Sequence, residues 1–180
     1  MARQTDGVRR LYGRGYRPRR VRSDPAKAVV FCVLLGLGAV GLWQRVGETV
    51  TGSGYAIDGD SLRLAGRELR LLGIDAPELH QTCERDGQSY SCGRIAQQAL
   101  ADFLRRGPLT CHIGERDRYG RGLATCTSGE ADINAALVRE GLAVSYGGYD
   151  AEENEARAAR RGLWAGTFER PADWRHRHPR

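Results

Sequence analysis

Residues 57–78 decide the fold of this chain, and they read IDGDSLRLAGRELRLLGIDAPE. Leucines alternate with polar residues before and after a short break centred on Gly66. Alternation of apolar and polar residues around a glycine-containing break predicts an antiparallel β-hairpin. The alternating leucines expected to face the core are Leu62, Leu64, Leu69 and Leu71.

The predicted hairpin brings acidic residues together at one end. Residues that face each other across antiparallel strands have a nearly constant sum of numbers, so this turn sets Asp58 and Asp60 close to Asp75. Glu78 follows just beyond. Carboxylates this close repel one another unless a cation lies among them, and hard cations bind carboxylate and carbonyl oxygens. The pattern therefore predicts a metal site.

The alternative is that residues 58–60 form only a polar turn, as most Asp-Gly pairs do. Two neighbouring features favour a functional site. Arg70 lies inside the second strand, where an arginine requires a partner or a role. Pro77 fixes the backbone that leads to Glu78.

The basic charge of the chain is concentrated at its start. The sequence has 28 Lys and Arg against 22 Asp and Glu, with a pI of about 9.4. Residues 1–27 hold nine basic residues and two Asp, whereas the remainder holds 19 basic and 20 acidic residues. We expect residues 1–27 to form a disordered arm. Any nucleic-acid binding by the rest must therefore depend on individual arginines.

An uncharged, largely apolar stretch follows at residues 28–44. Its apolar part would be a helix of roughly 24 Å, shorter than the ~30 Å hydrocarbon core unless the flanking charges snorkel. A buried helix would require a polar face, and a cleaved signal peptide would require a small-x-small site just after the run. We therefore expect an uncleaved transmembrane signal anchor, with the basic arm in the cytoplasm.

The cysteines are consistent with export. Cys32 lies in the apolar stretch, and four cysteines remain in the part expected to be exported. Cys111 and Cys126 are centred on a predicted turn and can face each other, while Cys83 and Cys92 bracket a glycine-containing loop. Zinc binding is the alternative, with two histidines nearby, but the sequence has no Cys-x-x-Cys pair. Export favours the disulfides Cys83–Cys92 and Cys111–Cys126.

Three helices are predicted after the hairpin, near residues 95–106, 132–141 and 150–162. The third opens with an Asp and a Glu in capping-box spacing. Residues 45–165 are thus expected to form one domain, and residues 166–180 a tail that is solvated from Arg175 onward. The residues expected on the buried face of the first helix are Ile95, Ala96, Ala99, Leu100 and Phe103.

Four sequence blocks carry a resemblance to a known family. They are AIDGDSLRL at 56–64, LRLLGIDAPE at 69–78, DRYGRGLA at 117–124 and NAALVREGLA at 134–143. In this order they resemble the staphylococcal nuclease (thermonuclease) family over about residues 48–164. The resemblance implies an α+β fold, a five-stranded OB-type β-barrel with three helices, here preceded by one N-terminal transmembrane helix.

The resemblance also implies a metal site and a reaction. Asp60, Asp75 and the backbone carbonyl of Ala76 correspond to Ca²⁺ ligands, with Asp58 behind them. The implied reaction is hydrolysis of DNA or RNA, with water attacking phosphorus, the 5′-oxygen leaving and 3′-phosphate products remaining.

Catalytic and substrate-binding roles are carried over in the same way. Glu78 would position or deprotonate the attacking water, while Arg70 and Arg121 would hold the scissile phosphate. Preorganised guanidinium groups stabilise the charge that develops on the phosphate in the transition state. The residues expected to contact the nucleotide are Arg118, Tyr119, Tyr146 and Tyr149.

The resulting hypothesis is a calcium-dependent endonuclease that is a single-pass protein of the inner membrane. Its catalytic domain would lie in the periplasm or outside the cell. Its partners would be the nucleic acid substrate and the membrane. The alternative is a non-catalytic OB-type binding module at the cell envelope, linked to exopolysaccharide synthesis. A binding module does not need the complete set of Asp60, Asp75, Glu78, Arg70 and Arg121.

Overall fold

The computed structural model describes residues 26, 27, 29–34 and 47–179. The chain divides into two compact units, Met1–Leu42 and Trp43–Arg180. The described residues of the first unit are helical and exposed. No helix among the described residues is long and apolar enough to cross a membrane. The predicted arm at 1–27 and the predicted anchor at 28–44 lie mostly outside the described residues, so both stay predictions.

The second unit combines short strands with helices. Within residues 47–179 the strands are β1 (Glu48–Gly52), β2 (Gly54–Ala56), β3 (Ser61–Leu64), β4 (Arg67–Leu71), β5 (Ile74–Asp75), β6 (Cys83–Arg85), β7 (Gln88–Tyr90), β8 (Leu109–Arg116), β9 (Gly122–Ser128), β10 (Ala131–Asp132) and β11 (Val144–Ser145). The helices there are α1 (Cys92–Arg106), α2 (Ile133–Arg139), α3 (Asp150–Ala158) and α4 (Pro171–Arg177), with a 3₁₀ turn at Gly162–Ala165.

The main sheet curls into an OB-like barrel. Its strand order is β1-β8-β9-β4-β3-β2, with β10 added beside β9. β1 pairs with β8 and β2 pairs with β3, although Ser53 alone separates β1 from β2. One nearly continuous segment therefore supplies both ends of the sheet, which must curl to accommodate it. The predicted α+β, OB-like fold is confirmed.

The hairpin predicted from residues 57–78 is formed by β3 and β4. Leu62 faces Leu69 in the register, and Ser61 faces Arg70. The four alternating leucines are at most 1% exposed. Burial of each leucine side chain contributes about 1.5–3 kcal/mol, so the period-two pattern forms one wall of the core.

The first predicted helix is present as α1, but its buried face is shifted. The buried face of α1 contains Ala96, Leu100 and Leu104, whose exposed fractions lie between 0% and 7%. Ile95, which was expected to be buried, is 48% exposed. Residues four apart share a helix face. The barrel contacts the face that contains Ala96, and Ile95 lies on an adjacent, exposed face.

The third predicted helix is present as α3, but it does not begin with the predicted capping box. Tyr149 is its N-cap and makes no side-chain capping bond. The carboxylate of Asp150 instead accepts a hydrogen bond from the Ser145 hydroxyl, and that of Glu153 accepts one from the Ser145 backbone N–H. These bonds tie α3 to β11, which pairs with β5.

The C-terminal segment packs against the hairpin of β6 and β7. Thr167 and Glu84 exchange backbone hydrogen bonds of 2.9 Å each. The Gln81 side chain donates to the carbonyl of Glu169 at 2.7 Å. α4 then brings Arg175 to the end of the β3–β4 hairpin. The expectation that the chain is solvated from Arg175 onward is therefore wrong for Arg175.

Both predicted disulfides are present, Cys83–Cys92 and Cys111–Cys126. The first joins β6 to the start of α1. The second crosslinks β8 to β9 inside the core, where both of its cysteines are fully buried. Among the described residues Cys32 is a free, exposed cysteine. Because the four thiols are oxidised in pairs, they do not form the alternative zinc site.

Replacement of both Cys111 and Cys126 by alanine should lower the free energy of unfolding. The crosslink spans a sequence separation of 15 residues. A loop of this size implies a loss of about 3 kcal/mol, because the crosslink restricts the unfolded chain. Equilibrium urea unfolding without reductant measures the change, with Cys32→Ala as the cysteine-removal control. An unchanged midpoint in the double variant would contradict the stabilising role.

Candidate active site at the end of the hairpin

Two buried carboxylates meet at the end of the hairpin. Asp60 and Asp75 are 4% and 3% exposed. Nη2 of Arg70 lies 2.9 Å from Oδ2 of Asp60 and 2.9 Å from Oδ1 of Asp75. The Ser61 hydroxyl donates to Oδ1 of Asp60 at 3.0 Å, and the Ala76 backbone N–H donates to Oδ2 at 3.1 Å. The structure thus brings the two aspartates together around the arginine of the second strand.

Asp58 shapes the turn that carries Asp60. Its Oδ1 accepts the backbone N–H groups of Asp60 and the following residue, at 3.0 and 2.7 Å. An aspartate that accepts backbone N–H groups two and three residues ahead forms a local turn. Asp58 therefore has the role that the polar-turn alternative assigned to residues 58–60. A Cβ on Gly59 would lie 2.6 Å from Cβ of Ala76 and 2.7 Å from Cβ of Ala96. Glycine is therefore required for the turn to pack this closely against α1.

Glu78 is held in a turn between β5 and β6. Its backbone N–H donates to Oε1 of Gln81 at 3.1 Å, and its carbonyl accepts the Gln81 backbone N–H at 2.7 Å. A Cβ on Gly93 would lie 1.8 Å from the Glu78 carbonyl oxygen, so the first turn of α1 requires glycine here. Gln81 is fully buried. Sequence reasoning missed it, because an isolated glutamine in a turn carries no signal.

The turn after β8 supplies the second predicted phosphate-binding arginine. Oδ1 of Asp117 accepts the backbone N–H groups of Tyr119 and Arg121 at 2.9 and 3.0 Å. Oδ2 of Asp117 accepts Nε–H of Arg121 at 2.8 Å. Nη1 of Arg121 lies 3.5 Å from the Ser61 hydroxyl, which in turn donates to Asp60. Arg121 is therefore linked to the carboxylates through one hydroxyl.

Sequence reasoning did not assign a role to Asp117. The available signal was an aspartate at the start of a glycine-containing turn, a position where its side chain bonds the backbone ahead of it.

Arg118 and Tyr119 lie on the exposed side of this turn. The Tyr119 side chain is 70% exposed. The guanidinium of Arg118 lies 4.8 Å from the centre of the Tyr119 ring, and that of Arg121 lies 5.7 Å from it. An exposed aromatic ring between two guanidinium groups is a surface on which a base can stack.

Tyr146 and Tyr149 differ in their surroundings. Tyr146 is 73% exposed, and its backbone N–H donates to the carbonyl of Gly73 at 2.8 Å. The Tyr149 hydroxyl donates to Oδ2 of Asp132 at 3.4 Å, and its ring packs against the core. Desolvation, together with the nearby Asp132 carboxylate, raises the pKa of Tyr149 to about 12. Tyr146 is thus open to a ligand, whereas Tyr149 is engaged within the protein.

A third arginine enters the carboxylate cluster from α4. Nη1 and Nη2 of Arg175 lie 2.8 and 3.1 Å from Oδ1 and Oδ2 of Asp75. Nη1 also lies 3.1 Å from Oε1 of Glu78. The hydrogen bond to Asp75 raises the pKa of Arg175 further above its ordinary value. The contact joins residues 100 positions apart, and no local sequence pattern indicates it.

The carboxylates have the chemistry of a site for a hard cation. Desolvation raises the pKa of Asp60 to about 7, against the lowering effect of Arg70. An added cation favours the charged form of such a buried carboxylate. Two carboxylates and the Ala76 carbonyl suit Ca²⁺, which takes six to eight oxygen ligands including water.

The protein would supply only part of that coordination shell. Among the residues that the structure describes, no group of three or more His, Cys, Asp or Glu is arranged to hold a metal ion. Two carboxylates and one carbonyl are three ligands, so water or substrate would have to fill the remaining positions around such a cation.

Residues 68–166 match the family described as staphylococcal nuclease homologue. The chain belongs to this family, and the family predicted from the four sequence blocks is confirmed.

Several relatives have names that refer to nucleases. The chain is 31% identical over 133 residues to an "uncharacterized endonuclease" of Escherichia coli O157:H7, covering 67% of this chain and 81% of that protein. It is 33% identical over 128 residues to the "probable endonuclease LCL3" of Verticillium alfalfae, covering 61% and 44%.

Another relative has a different kind of name. The chain is 35% identical over 125 residues to the "succinoglycan biosynthesis protein ExoI" of Rhizobium meliloti, covering 65% of each chain. The chain spans between 31% and 65% of the length of the first curated relatives it matches.

The substitution Asp117→Asn should weaken the turn that holds Arg121. Desolvation acts to raise the pKa of Asp117, but hydrogen bonds from Arg121 and Tyr119 outweigh it and hold the pKa below its ordinary value. The asparagine loses the bond from Nε of Arg121, and we expect it to lower the free energy of unfolding by about 1 kcal/mol at pH 7.

This difference should depend on pH. A carboxylate with a lowered folded-state pKa stabilises the fold above its unfolded pKa of about 3.9, and this stabilisation is lost as the pH falls through the folded value. Urea unfolding of both proteins from pH 7 to pH 2.5 measures the difference, with Asp86→Asn, at an exposed aspartate, as control. A difference that persists undiminished at pH 2.5 would contradict the ionic role of Asp117.

Proposed function

We propose that this chain is a calcium-dependent endonuclease that hydrolyses phosphodiester bonds in DNA, RNA or both and leaves 3′-phosphate products. The observation that carries the proposal is the convergence of Asp60, Asp75 and Arg70 at one end of the barrel, with Arg121 linked to them through Ser61. An OB-type module that only binds nucleic acid requires basic and aromatic residues, not buried carboxylates. Hydrolysis of a phosphodiester uses both kinds of group.

Asp60, Asp75 and the carbonyl of Ala76 would hold the Ca²⁺. A cation bound there would stabilise the negative charge that develops on the phosphate oxygens. Asp58 acts behind these ligands, because its two hydrogen bonds to the backbone fix the turn that carries Asp60. The raised pKa of Asp60 supports this assignment, since a buried carboxylate without a full positive counterpart favours cation binding.

Glu78 is the proposed general base. It would take a proton from water as the water oxygen bonds to phosphorus and the bond from phosphorus to the 5′-oxygen breaks. The phosphate then remains on the 3′-oxygen, and the leaving 5′-oxygen takes a proton from solvent to become a 5′-hydroxyl. General-base catalysis of this kind contributes about 10²–10⁴-fold to a rate.

Arg70 and Arg121 would bind the scissile phosphate. A planar guanidinium offers two parallel N–H donors to two phosphate oxygens, a geometry that lysine does not provide. Asp117 already fixes Nε of Arg121, so its terminal N–H groups are oriented before substrate binds. Arg70 is oriented in the same way by Asp60 and Asp75. Donors held in place beforehand require little reorganisation in the transition state.

The nucleotide beside the scissile phosphate would contact Arg118 and Tyr119. The exposed Tyr119 ring offers a stacking surface that does not discriminate among bases, which agrees with the use of both DNA and RNA. Tyr146 is exposed and suits a second contact of this kind. Tyr149 suits an indirect role, because its hydroxyl is bonded to Asp132.

We place the nuclease domain in the periplasm or outside the cell, tethered to the inner membrane by residues 28–44. Two disulfides support an oxidising compartment. The nine basic residues of the stretch 1–27 support a cytoplasmic location for that arm.

A second candidate function is a non-catalytic binding module of the cell envelope that takes part in exopolysaccharide synthesis. The similarity to the protein named for succinoglycan biosynthesis favours it. The two functions differ in one measurable property, since a module of this kind would not cleave nucleic acid.

The purified, oxidised full chain should cleave single-stranded DNA in the presence of Ca²⁺ and stop when a chelator is added. Glu78→Gln should reduce the rate by about 10²–10⁴-fold, because glutamine cannot accept the proton of water. Gel-resolved cleavage of an end-labelled oligonucleotide gives both the rate and the 3′-phosphate ends. Arg63→Gln is a suitable control, because Arg63 is paired with Glu68 on the exposed side of the hairpin.

Two outcomes would contradict the nuclease proposal. Full activity in excess chelator would exclude the role of the cation. Absence of cleavage by the folded, oxidised, calcium-supplemented wild type would favour the non-catalytic function.

External protease should digest the nuclease domain in spheroplasts of an expressing bacterium. The anchor and the positive charge of residues 1–27 set this orientation. Immunoblotting with a C-terminal tag measures digestion, and a cytoplasmic protein in the same cells controls for lysis. A tag that stays protected until the membrane is lysed would overturn the proposed location.

A further inference from the structure

Asp75, one of the proposed Ca²⁺ ligands, already accepts three N–H groups from arginine. Oδ1 of Asp75 accepts N–H groups from both Arg70 and Arg175, and Oδ2 accepts a second N–H group from Arg175. Nη1 of Arg175, which donates to Oδ1 of Asp75, also donates to Oε1 of Glu78. One guanidinium thus occupies the side of Asp75 that faces the proposed general base.

Arg175 is the more accessible of the two arginines on Asp75. Its side chain is 39% exposed, against 22% for Arg70. Arg70 also lies within β4, whose backbone is paired on both sides, by β3 and by β9. Arg175 is carried by a helix at the edge of the molecule. Arg175 can therefore leave the cluster without disruption of the barrel, whereas Arg70 cannot.

Arg170 pairs with Glu153 just before the helix, and Arg175 makes the ion pairs to Asp75 and Glu78 within α4. Of its seven residues, Pro171 is the buried one. Arg177 pairs with Glu169, which belongs to the same C-terminal segment and adds no contact to the barrel. Helices this short are not stable alone in water. Loss of the Arg175 ion pairs should therefore release α4, while Thr167 stays paired with Glu84.

A divalent cation on Asp75 would compete with Arg175 more than with Arg70, because Arg175 donates to both oxygens of that carboxylate and Arg70 to Oδ1 only. The cation and Arg175 are both positive, and both require the same carboxylate lone pairs. Two cations a few ångströms apart repel strongly at a site that is largely excluded from water. A cation that binds Asp75 must therefore displace Arg175 or bind more weakly in its presence.

We propose that α4 is an autoinhibitory element of this nuclease, in which Arg175 competes with the divalent cation for Asp75 and holds Glu78 away from water. Cation binding releases α4 and frees both carboxylates, and docking of α4 lowers the apparent affinity for the cation. This regulation rests on the proposed calcium-dependent function.

Calcium affinity of the full chain tests the competition directly. If the docked helix predominates without metal, Arg175→Gln should bind Ca²⁺ about tenfold or more tightly than wild type, because the apparent dissociation constant scales with the fraction of open sites. Isothermal titration calorimetry measures this constant. Arg177→Gln is the matched control on the same helix and should leave it unchanged.

Hydrogen exchange of the wild-type protein provides a readout that needs no variant. Mass spectrometry of peptides covering residues 171–177 should show faster exchange when Ca²⁺ is added, with no change in peptides from β3 and β4. Mg²⁺ at the same concentration tests whether release follows cation binding in general.

The outcomes separate this proposal from the proposed function. Equal or weaker Ca²⁺ binding by folded Arg175→Gln, or unchanged exchange in residues 171–177 of a calcium-loaded wild type, would overturn autoinhibition while calcium-dependent cleavage stands. Absence of Ca²⁺ binding by both proteins, with both folded, would overturn the calcium dependence and the competition together.

Discussion

Asp60 and Asp75 are two buried carboxylates that share one guanidinium, and the arrangement of the whole site depends on that sharing. Burial of two like charges is unfavourable unless positive charge and hydrogen bonds compensate. Arg70 supplies the charge from β4, and Ser61 and the Ala76 backbone supply hydrogen bonds. Desolvation nevertheless raises the pKa of Asp60 to about 7, against the lowering effect of Arg70.

The barrel keeps this unfavourable arrangement in place because the site lies where several rigid elements meet. Gly59 allows the Asp turn to touch Ala76 and α1, and Gly93 allows α1 to touch the backbone of Glu78. The Cys83–Cys92 disulfide fixes the start of that helix. β5 ends in Asp75, and its backbone pairs with β11. This pairing fixes the position of Asp75. Each acidic residue is thus positioned by backbone packing and not by its own side chain alone.

The arginines divide into two kinds by the elements that carry them. Arg70 and Arg121 lie in or beside barrel strands and are oriented by carboxylates before any ligand arrives. Arg175 comes from a peripheral helix with little apolar burial. Permanent donors suit the stabilisation of a transition state, whereas a removable one suits control of access. In the proposed nuclease the same ion-pair chemistry would serve two purposes, according to the rigidity of the element that carries the arginine.

The sequence by itself determined the hairpin, its four buried leucines, the OB-like class, the family and both disulfide pairs. These features depend on local alternation, on the symmetry of residues about a turn, and on motifs of adjacent residues. Local periodicity did not determine which face of α1 is buried, so Ile95 was misplaced. It also gave no indication of Gln81 or Arg175. Only the tertiary structure decided their positions, because contacts across 88 and 100 residues depend on how the C-terminal segment returns to the barrel.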